Sequence, residues 1–381
     1  MNTTPCKTAI LLTGLLVLFA FTANIYAAPP LYSVTVLGNL DGSSGQAFGI
    51  NAFGQVAGFS YTANDTTLHA VRWNGVTPTD LGTLGGSQSY GYGINDLGQI
   101  AGYSNLAGDN AHSAVRWTGA APTVLNTLGG TTSEAVGINA SGQVVGWSDI
   151  AGNSHEHAVR WTGTTPTDLG TLGGTDSEGY AINDSGQVAG WSWIAGSGTA
   201  HAVRWTGTTP TSLGSLGGNE SFAYGINASG QVVGYADTGN NGEHHAVLWN
   251  GTTPTDLGTL GGNYSESYGI NDSGDVVGMS DTFTTSNAFY YTGGTMYDLN
   301  ALLVNGSGIT QLRFGSGGFY NPTGNSINNL GQIAAIGVVD GRGGGFQALL
   351  LTPGTTPEPS TAVLLAASAA TLLHRRRRAS V

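Results

Sequence analysis

The chain has 381 residues, 63 of them Gly, and only 34 are charged (11 Lys or Arg, 23 Asp or Glu). Eight Trp, 40% hydrophobic content and the lack of a three-residue Gly period exclude both a disordered chain and a collagen. Between positions 28 and 356, 22 acids face six arginines (Arg72, Arg116, Arg160, Arg204, Arg313, Arg342), a net of −16 without any Lys, and so acidic a body repels the phosphates of nucleic acid.

The predicted elements begin with a sorting signal. Residues 1–27 read as a secretory signal peptide: a short segment ends at Lys7, an apolar run follows from Ala9 to Phe21, and small residues stand at Ala27-Ala28. Cleavage is expected after Ala27; an uncleaved membrane helix is the alternative. Cys6, the only cysteine, precedes the apolar run and is therefore not placed as a lipid anchor. Its removal leaves the mature chain without disulfide or thiol chemistry.

The body, residues 28–353, is a repeat array. Gly-Ile-Asn starts at Gly49, Gly93, Gly137, Gly225 and Gly269, with Ala181-Ile182-Asn183 filling the gap, each 44 residues after the last. Trp73, Trp117, Trp161, Trp205 and Trp249 keep the same step, and a seventh copy, Ser326-Ile327-Asn328, follows after 57 residues. The third repeat shows the contents: a strand over Ala135–Asn139, a Gly-containing turn, a second strand over Gln143–Ser148, a third over His157–Thr162 and a fourth over Thr167–Leu172. Four strands per repeat with no helical periodicity predict an all-β, seven-bladed β-propeller. The seventh copy supplies three strands (Ser326–Asn328, Gln332–Gly337, Gln347–Thr352) and stops, whereas Leu31–Leu40 aligns with the missing fourth. Pairing the two ends would close the ring and hide two sheet edges; an open solenoid, the rival, would need capping ends instead. The extra residues at 300–325 suggest a hairpin of Leu302-Leu303-Val304 with Leu312-Arg313-Phe314.

Within this frame, Phe48, Tyr92, Val136, Tyr180, Tyr224 and Tyr268 alternate with small residues and are expected in the core. His69, His157, His201 and His245 open the third strands, where Ser113, Asn287 and Gln347 substitute, so a hydrogen-bonding role at the sheet edge is expected there. His155-Glu156-His157 and Glu243-His244-His245 have the i, i+2 spacing of strand metal ligands, but each is incomplete and they lie two repeats apart, so no metal and no cofactor are expected. Asn-Asp-Ser-Gly at Asn183 and Asn271 lacks the ligand pattern of a calcium loop, with Ala at Ala52, Ala140 and Ala228, and reads as a turn. One position varies while its neighbours do not: Gln46, Tyr90, Glu134, Glu178, Phe222 and Glu266, three residues before each Gly-Ile-Asn equivalent. These side chains are expected to rim one mouth of the central channel, where carboxylates among aromatics could hold a sugar or a cation; drift at an exposed loop is the bland alternative. No His is expected beside that rim.

The tail, 354–381, carries Pro357-Glu358-Pro359, an apolar stretch Thr361–Leu373 and the basic cluster Arg375, Arg376, Arg377 and Arg378. The stretch is shorter than the ~20 residues that span a bilayer unaided, and the arginines would stay cytoplasmic. Motif, apolar helix and basic end together resemble the PEP-CTERM sorting signal, which implies an exosortase-type membrane enzyme as partner; a simple tail anchor is the alternative. Across residues 31–353, Ile-Asn-Asp-Ser-Gly-Gln-Val (from Ile182), His-Ala-Val-Arg-Trp (from His157) and Thr-Asp-Leu-Gly-Thr-Leu-Gly-Gly (from Thr167) resemble the HAF repeat family of exported bacterial proteins. The chain departs from it in having Val after His-Ala; only Asn287-Ala288-Phe289 keeps the Phe. That resemblance implies a secreted or surface protein and brings no catalytic residues. The expected function is an exported scaffold, membrane-tethered at least briefly through its tail, that binds an extracellular glycan or surface protein. The alternative is a glycan lyase or glycosidase on the same ring, with Glu134 and Glu178 as the nearest carboxylate pair.

Overall fold

The computed structural model describes residues 28–239, 242–314, 326–341 and 345–354. The expected signal peptide, most of the tail with Pro357, Glu358, Pro359 and Arg375 to Arg378, and the second half of the 300–325 insertion lie outside the described residues. Among the described residues no helix is long and apolar enough to cross a membrane.

The chain is all-β, built from repeated four-stranded antiparallel sheets. In the third repeat the strands are Gly129–Ile138, Val144–Ile150, Glu156–Thr162 and Thr165–Asp168, each paired antiparallel to the next. The first strand is thus longer than expected and the fourth ends earlier, because Gly173-Gly174 opens the next repeat's first strand, Gly173–Ile182. Two neighbouring sheets are further joined by one parallel bridge, Leu68 to Gln88.

Local chemistry explains the strand order. Gly142 adopts φ +78° and closes the Asn139–Gln143 turn with its N–H on the Asn139 carbonyl (3.0 Å). Gly146 lies where a Cβ would overlap the Glu134 carbonyl, so the first two strands approach closely. A register shift between Ala135 and Gly137 puts a bulge at Val136, and the same shift recurs at Phe48, Tyr92, Tyr180, Tyr224 and Tyr268. Bulges re-aim a side chain, and here they turn these residues onto one another: ring centroids lie 5.4 Å apart for Phe48–Tyr92 and Tyr180–Tyr224, and 5.9 Å for Tyr224–Tyr268. The aromatic stripe is core, as its periodicity implied.

Each main core lies between sheets. Trp161 packs with Leu125, Val144 and Val159 against Ala101 and Ala114 of the preceding repeat, and its Nε1–H donates to the Asn126 carbonyl (2.7 Å). Equivalent clusters form around Trp117, Trp205 and Trp249. Trp73 packs against Ala334 and Ala348 of the last repeat. The N-terminal strand Tyr32–Val36 pairs antiparallel with Phe346–Pro353, supplying the fourth strand that the last repeat lacks. The first strand of that last sheet departs from expectation. It is Ile309–Arg313, from the insertion, paired with Ile333–Val339, while Ile327 makes a single bridge to Ile333. The expected hairpin does not form: Leu299–Leu302 is a 3₁₀ turn, Leu303 bridges Tyr32 and Val304 N–H donates to the Tyr32 carbonyl (2.9 Å), so that segment is used to complete the sheet.

A run of side-chain bonds ties the repeats together. Asn51 Nδ2 donates to the Asn95 carbonyl, Asn95 to Asn139, Asn139 to Asn183, Asn183 to Asn227, Asn227 to Asn271, Asn271 to Asn328, and Asn328 back to Asn51, at 2.9 to 3.4 Å. The Asn139 Oδ1 meanwhile accepts its own turn's Gln143 N–H (3.0 Å). Asp184 accepts the Ala140 N–H (2.9 Å), and Asp96 and Asp272 do the same for Ala52 and Ala228, which explains why Ala and Asp alternate after the Asn. Arg160 Nη1 donates to the Gly186 carbonyl (3.3 Å), with Arg72, Arg116 and Arg204 equivalent. The Ile-Asn pairs of all seven repeats line one shallow depression of about 190 Å³. Asn139→Ala is therefore expected to cost about 1–3 kcal/mol in thermal unfolding, since it strands buried partners on two repeats, whereas Ala140→Ser at the exposed next position should change stability by less than ~0.5 kcal/mol.

Candidate functional site: an aromatic and carboxylate mouth

At the other end of the first strands, some 16 Å of extended chain from the asparagines, stand the six variable residues. Each lies inside a strand and is half-buried. Cross-strand register sets each against a residue of the second strand: Gln46 against Phe59, Tyr90 against Tyr103, Glu134 against Trp147, Glu178 against Trp191, Phe222 against Tyr235 and Glu266 against Met279. Most of these rings merge with the central aromatics into one cluster.

The third strands complete the arrangement. Their first residues come from the preceding repeat, 22 positions earlier, and change as the variable residues do. His112 Nε2 lies 3.0 Å from Glu134 Oε1, and His244 Nε2 lies 3.1 Å from Glu266 Oε1. Glu156 hydrogen-bonds Glu178, while Ala200 packs in the same aromatic cluster as Phe222, and Leu68 in that of Tyr90. Two histidines therefore flank the rim, contrary to the expectation of none; the cross-repeat register that brings them there is invisible in a linear reading. His112, Glu156 and His244 carried a usable signal all the same: they vary directly before a constant Ala-Val pair two residues on.

Electrostatics differ among the three carboxylates. The Glu178 carboxyl is pushed well above the usual carboxylate range, first by desolvation and then by the neighbouring charges of Glu156 and Glu134. Desolvation also raises Glu156. Tyr180 donates to Glu178 Oε2 (2.8 Å) while accepting from Trp191 Nε1 (3.1 Å). Tyr268 donates to Glu266 Oε2 (2.9 Å). Burial pushes the Tyr90 hydroxyl up to about 12, so it stays a donor across the ordinary pH range.

The other candidates serve the sheets. His69, His157 and His245 place Nδ1 within 3.0 Å of Asp80, Asp168 and Asp256, and His201 bonds Ser212 (2.8 Å), each clipping a third strand to its fourth. His155 turns to Asp176 (3.1 Å), away from His157's partner. Among the described residues no group of three or more His, Cys, Asp or Glu is placed to hold a metal ion. Beside His244 and Glu266, a cavity of about 310 Å³ is bounded by Tyr264, Arg313 and Phe346.

A carboxyl raised on folding favours the protonated fold, so the stability linked to Glu178 is whole below the unfolded value of ~4.3 and falls as pH rises through the folded one. Glu178→Gln keeps an uncharged acceptor for Tyr180. Its melting temperature should match the parent near pH 4 and exceed it at pH 8 by roughly 2–4 °C per kcal/mol relieved; a deficit at every pH would show instead that the charge is needed. No protein-family model matches the chain, and no curated protein matches its sequence.

Proposed function

We propose that the chain is an exported, cell-surface or secreted seven-bladed β-propeller of the HAF repeat type, sorted by an exosortase-type enzyme through its tail, that binds an extracellular glycan at the mouth bearing Glu134, Glu178 and Glu266. The return of the asparagine bonds from Asn328 to Asn51 and the pairing of Tyr32–Val36 with Phe346–Pro353 support a closed ring. The signal-like ends and the acidic, lysine-free body support a place outside the cell.

The observation that carries the binding reading is the company each carboxylate keeps. Aromatic rings bind the C–H faces of sugars, and carboxylate oxygens accept from hydroxyls. Here Tyr90, Tyr103, Trp191, Phe222 and Tyr235 form one aromatic cluster, and Glu134, Glu178 and Glu266 stand across the strands from Trp147, Trp191 and Met279. A glycan-active enzyme is the second reading, favoured by the raised Glu178 carboxyl, since a general acid must hold its proton. Glycosidase carboxyls stand ~5–9.5 Å apart to leave room for the sugar or water. Glu178, one half of the Glu134 and Glu178 pair, is instead bonded directly by Glu156 and so is engaged within the protein, which ranks binding first.

Two measurements check this. On a glycan array the full chain should bind a defined set of sugars, and the Glu134→Gln, Glu178→Gln, Glu266→Gln triple variant should lose that signal; an unchanged signal would move the site elsewhere, and release of reducing ends by the parent would favour the enzyme. Mass spectrometry of the exported protein should show the tail removed, and replacing Pro357, Glu358 and Pro359 with Ala should leave it attached.

A further inference from the structure

The mouth is not uniform around the array. One four-residue arrangement occurs twice, three repeats apart. Tyr90 stacks on Tyr103 with centroids 4.9 Å apart and planes at 24°, Tyr103 meets His112 at 4.7 Å, and His112 lies 3.0 Å from Glu134. Phe222 stacks on Tyr235 at 5.1 Å and 22°, Tyr235 meets His244 at 4.6 Å, and His244 lies 3.1 Å from Glu266. Each member of the second set stands 132 positions after its counterpart in the first. The strands that carry them have otherwise diverged, with Ser104-Asn105-Leu106 facing Ala236-Asp237-Thr238. Among the described residues no other repeat reproduces the set: Phe59 is followed by Leu68, Trp147 by Glu156 and Trp191 by Ala200, and Met279 stands where a ring would be.

From this duplication we infer that the mouth holds two equivalent subsites, Tyr90–Tyr103–His112–Glu134 and Phe222–Tyr235–His244–Glu266, and that one neutral oligosaccharide chain spans both. The inference rests on the glycan reading above and deepens it. Each subsite offers a stacked ring pair and a carboxylate beside an imidazole. Rings beside carboxylates suit the C–H faces and hydroxyls of a sugar better than a free cation, for which no group of three or more His, Cys, Asp or Glu is placed among the described residues. An anionic sugar would meet the acidic body, with Arg313 beside the second subsite as its counter-charge there. Both subsites reach the surface: the His112 and His244 side chains keep 26% and 24% of their surface open, and Tyr90, Tyr103, Phe222 and Tyr235 are each partly exposed. Two weak sites joined by one ligand gain affinity through effective concentration without any new contact.

The test is calorimetric titration of the full chain with neutral gluco- and manno-oligosaccharides from disaccharide to octasaccharide. The expected result is two equal sites per chain for the disaccharide and one tighter site for the octasaccharide. His112→Gln/Glu134→Gln and His244→Gln/Glu266→Gln should each remove one disaccharide site, leave the other, and weaken the octasaccharide roughly 10²-fold. Tyr103→Ala and Tyr235→Ala form a second, independent pair, with near-ultraviolet circular dichroism reporting the fold. A single disaccharide site, or loss confined to one of the two variants, would overturn the duplication while leaving glycan binding standing. No binding of any neutral sugar would overturn both.

Discussion

Everything in this molecule depends on one buried side chain repeated seven times. The amide of Asn139 serves two masters, its own turn through Oδ1 and the next repeat's backbone through Nδ2. An amide buried at 3% exposure cannot leave either group unpaired without cost. Position and pairing therefore enforce each other: the turn must hold the Asn in place, and the next repeat must present its carbonyl. Because Asn328 donates to Asn51, the constraint passes from the last repeat to the first, and no repeat is spared it.

Such an arrangement separates what must stay constant from what can change. The asparagines and the tryptophan clusters leave little freedom at one end of each first strand. At the other end, the bulge has already aimed the central aromatic inward, and the residue two positions before it meets the second strand, the neighbouring repeat's third strand and, at Glu178 and Glu266, the hydroxyl of that central Tyr. Three strands from two repeats converge there, and each can change alone. Chemistry accumulates at such junctions since a substitution there perturbs neither the turn nor the inter-sheet core. The two histidine–glutamate pairs and the paired glutamates are three outcomes at one kind of junction. Burial raises the Glu178 carboxyl first, and the second acid, Glu156, raises it further where the other two junctions have an imidazole.

Much of this was legible in the residues alone. The 44-residue step announces the repeat, Val-Val-Gly and His-Ala-Val-Arg-Trp announce strands, and the leftover strand at Leu31 matches the one missing after Gln347. The variable positions Gln46, Tyr90, Glu134, Glu178, Phe222 and Glu266 stood out by changing inside a constant frame. Their partners are less legible, since a separation of 22 residues crosses a sheet boundary: Glu156 and His244 read as parts of incomplete metal-ligand clusters, and His112 carries only its place before a constant Ala-Val pair. The last repeat misled for a related reason. Ser326–Asn328 has the right residues for a first strand, but it meets only Ile333 and Ala334 of Ile333–Val339, and Ile309–Arg313 takes the remainder of that edge, Ile336–Val339.

The sequence by itself determined the all-β class, the repeat boundaries, the turn chemistry and the pairing of the two chain ends, because period, apolar alternation and Gly placement are local properties that each repeat states again. Only the tertiary structure decided which side chains meet across repeats: that an imidazole faces Glu134 and Glu266, that Glu178 meets another acid, and that Asp184 serves the backbone of Ala140. Those contacts depend on how one twisted sheet is set against the next, and that geometry is fixed by packing of the inter-sheet cores rather than by any stretch of chain.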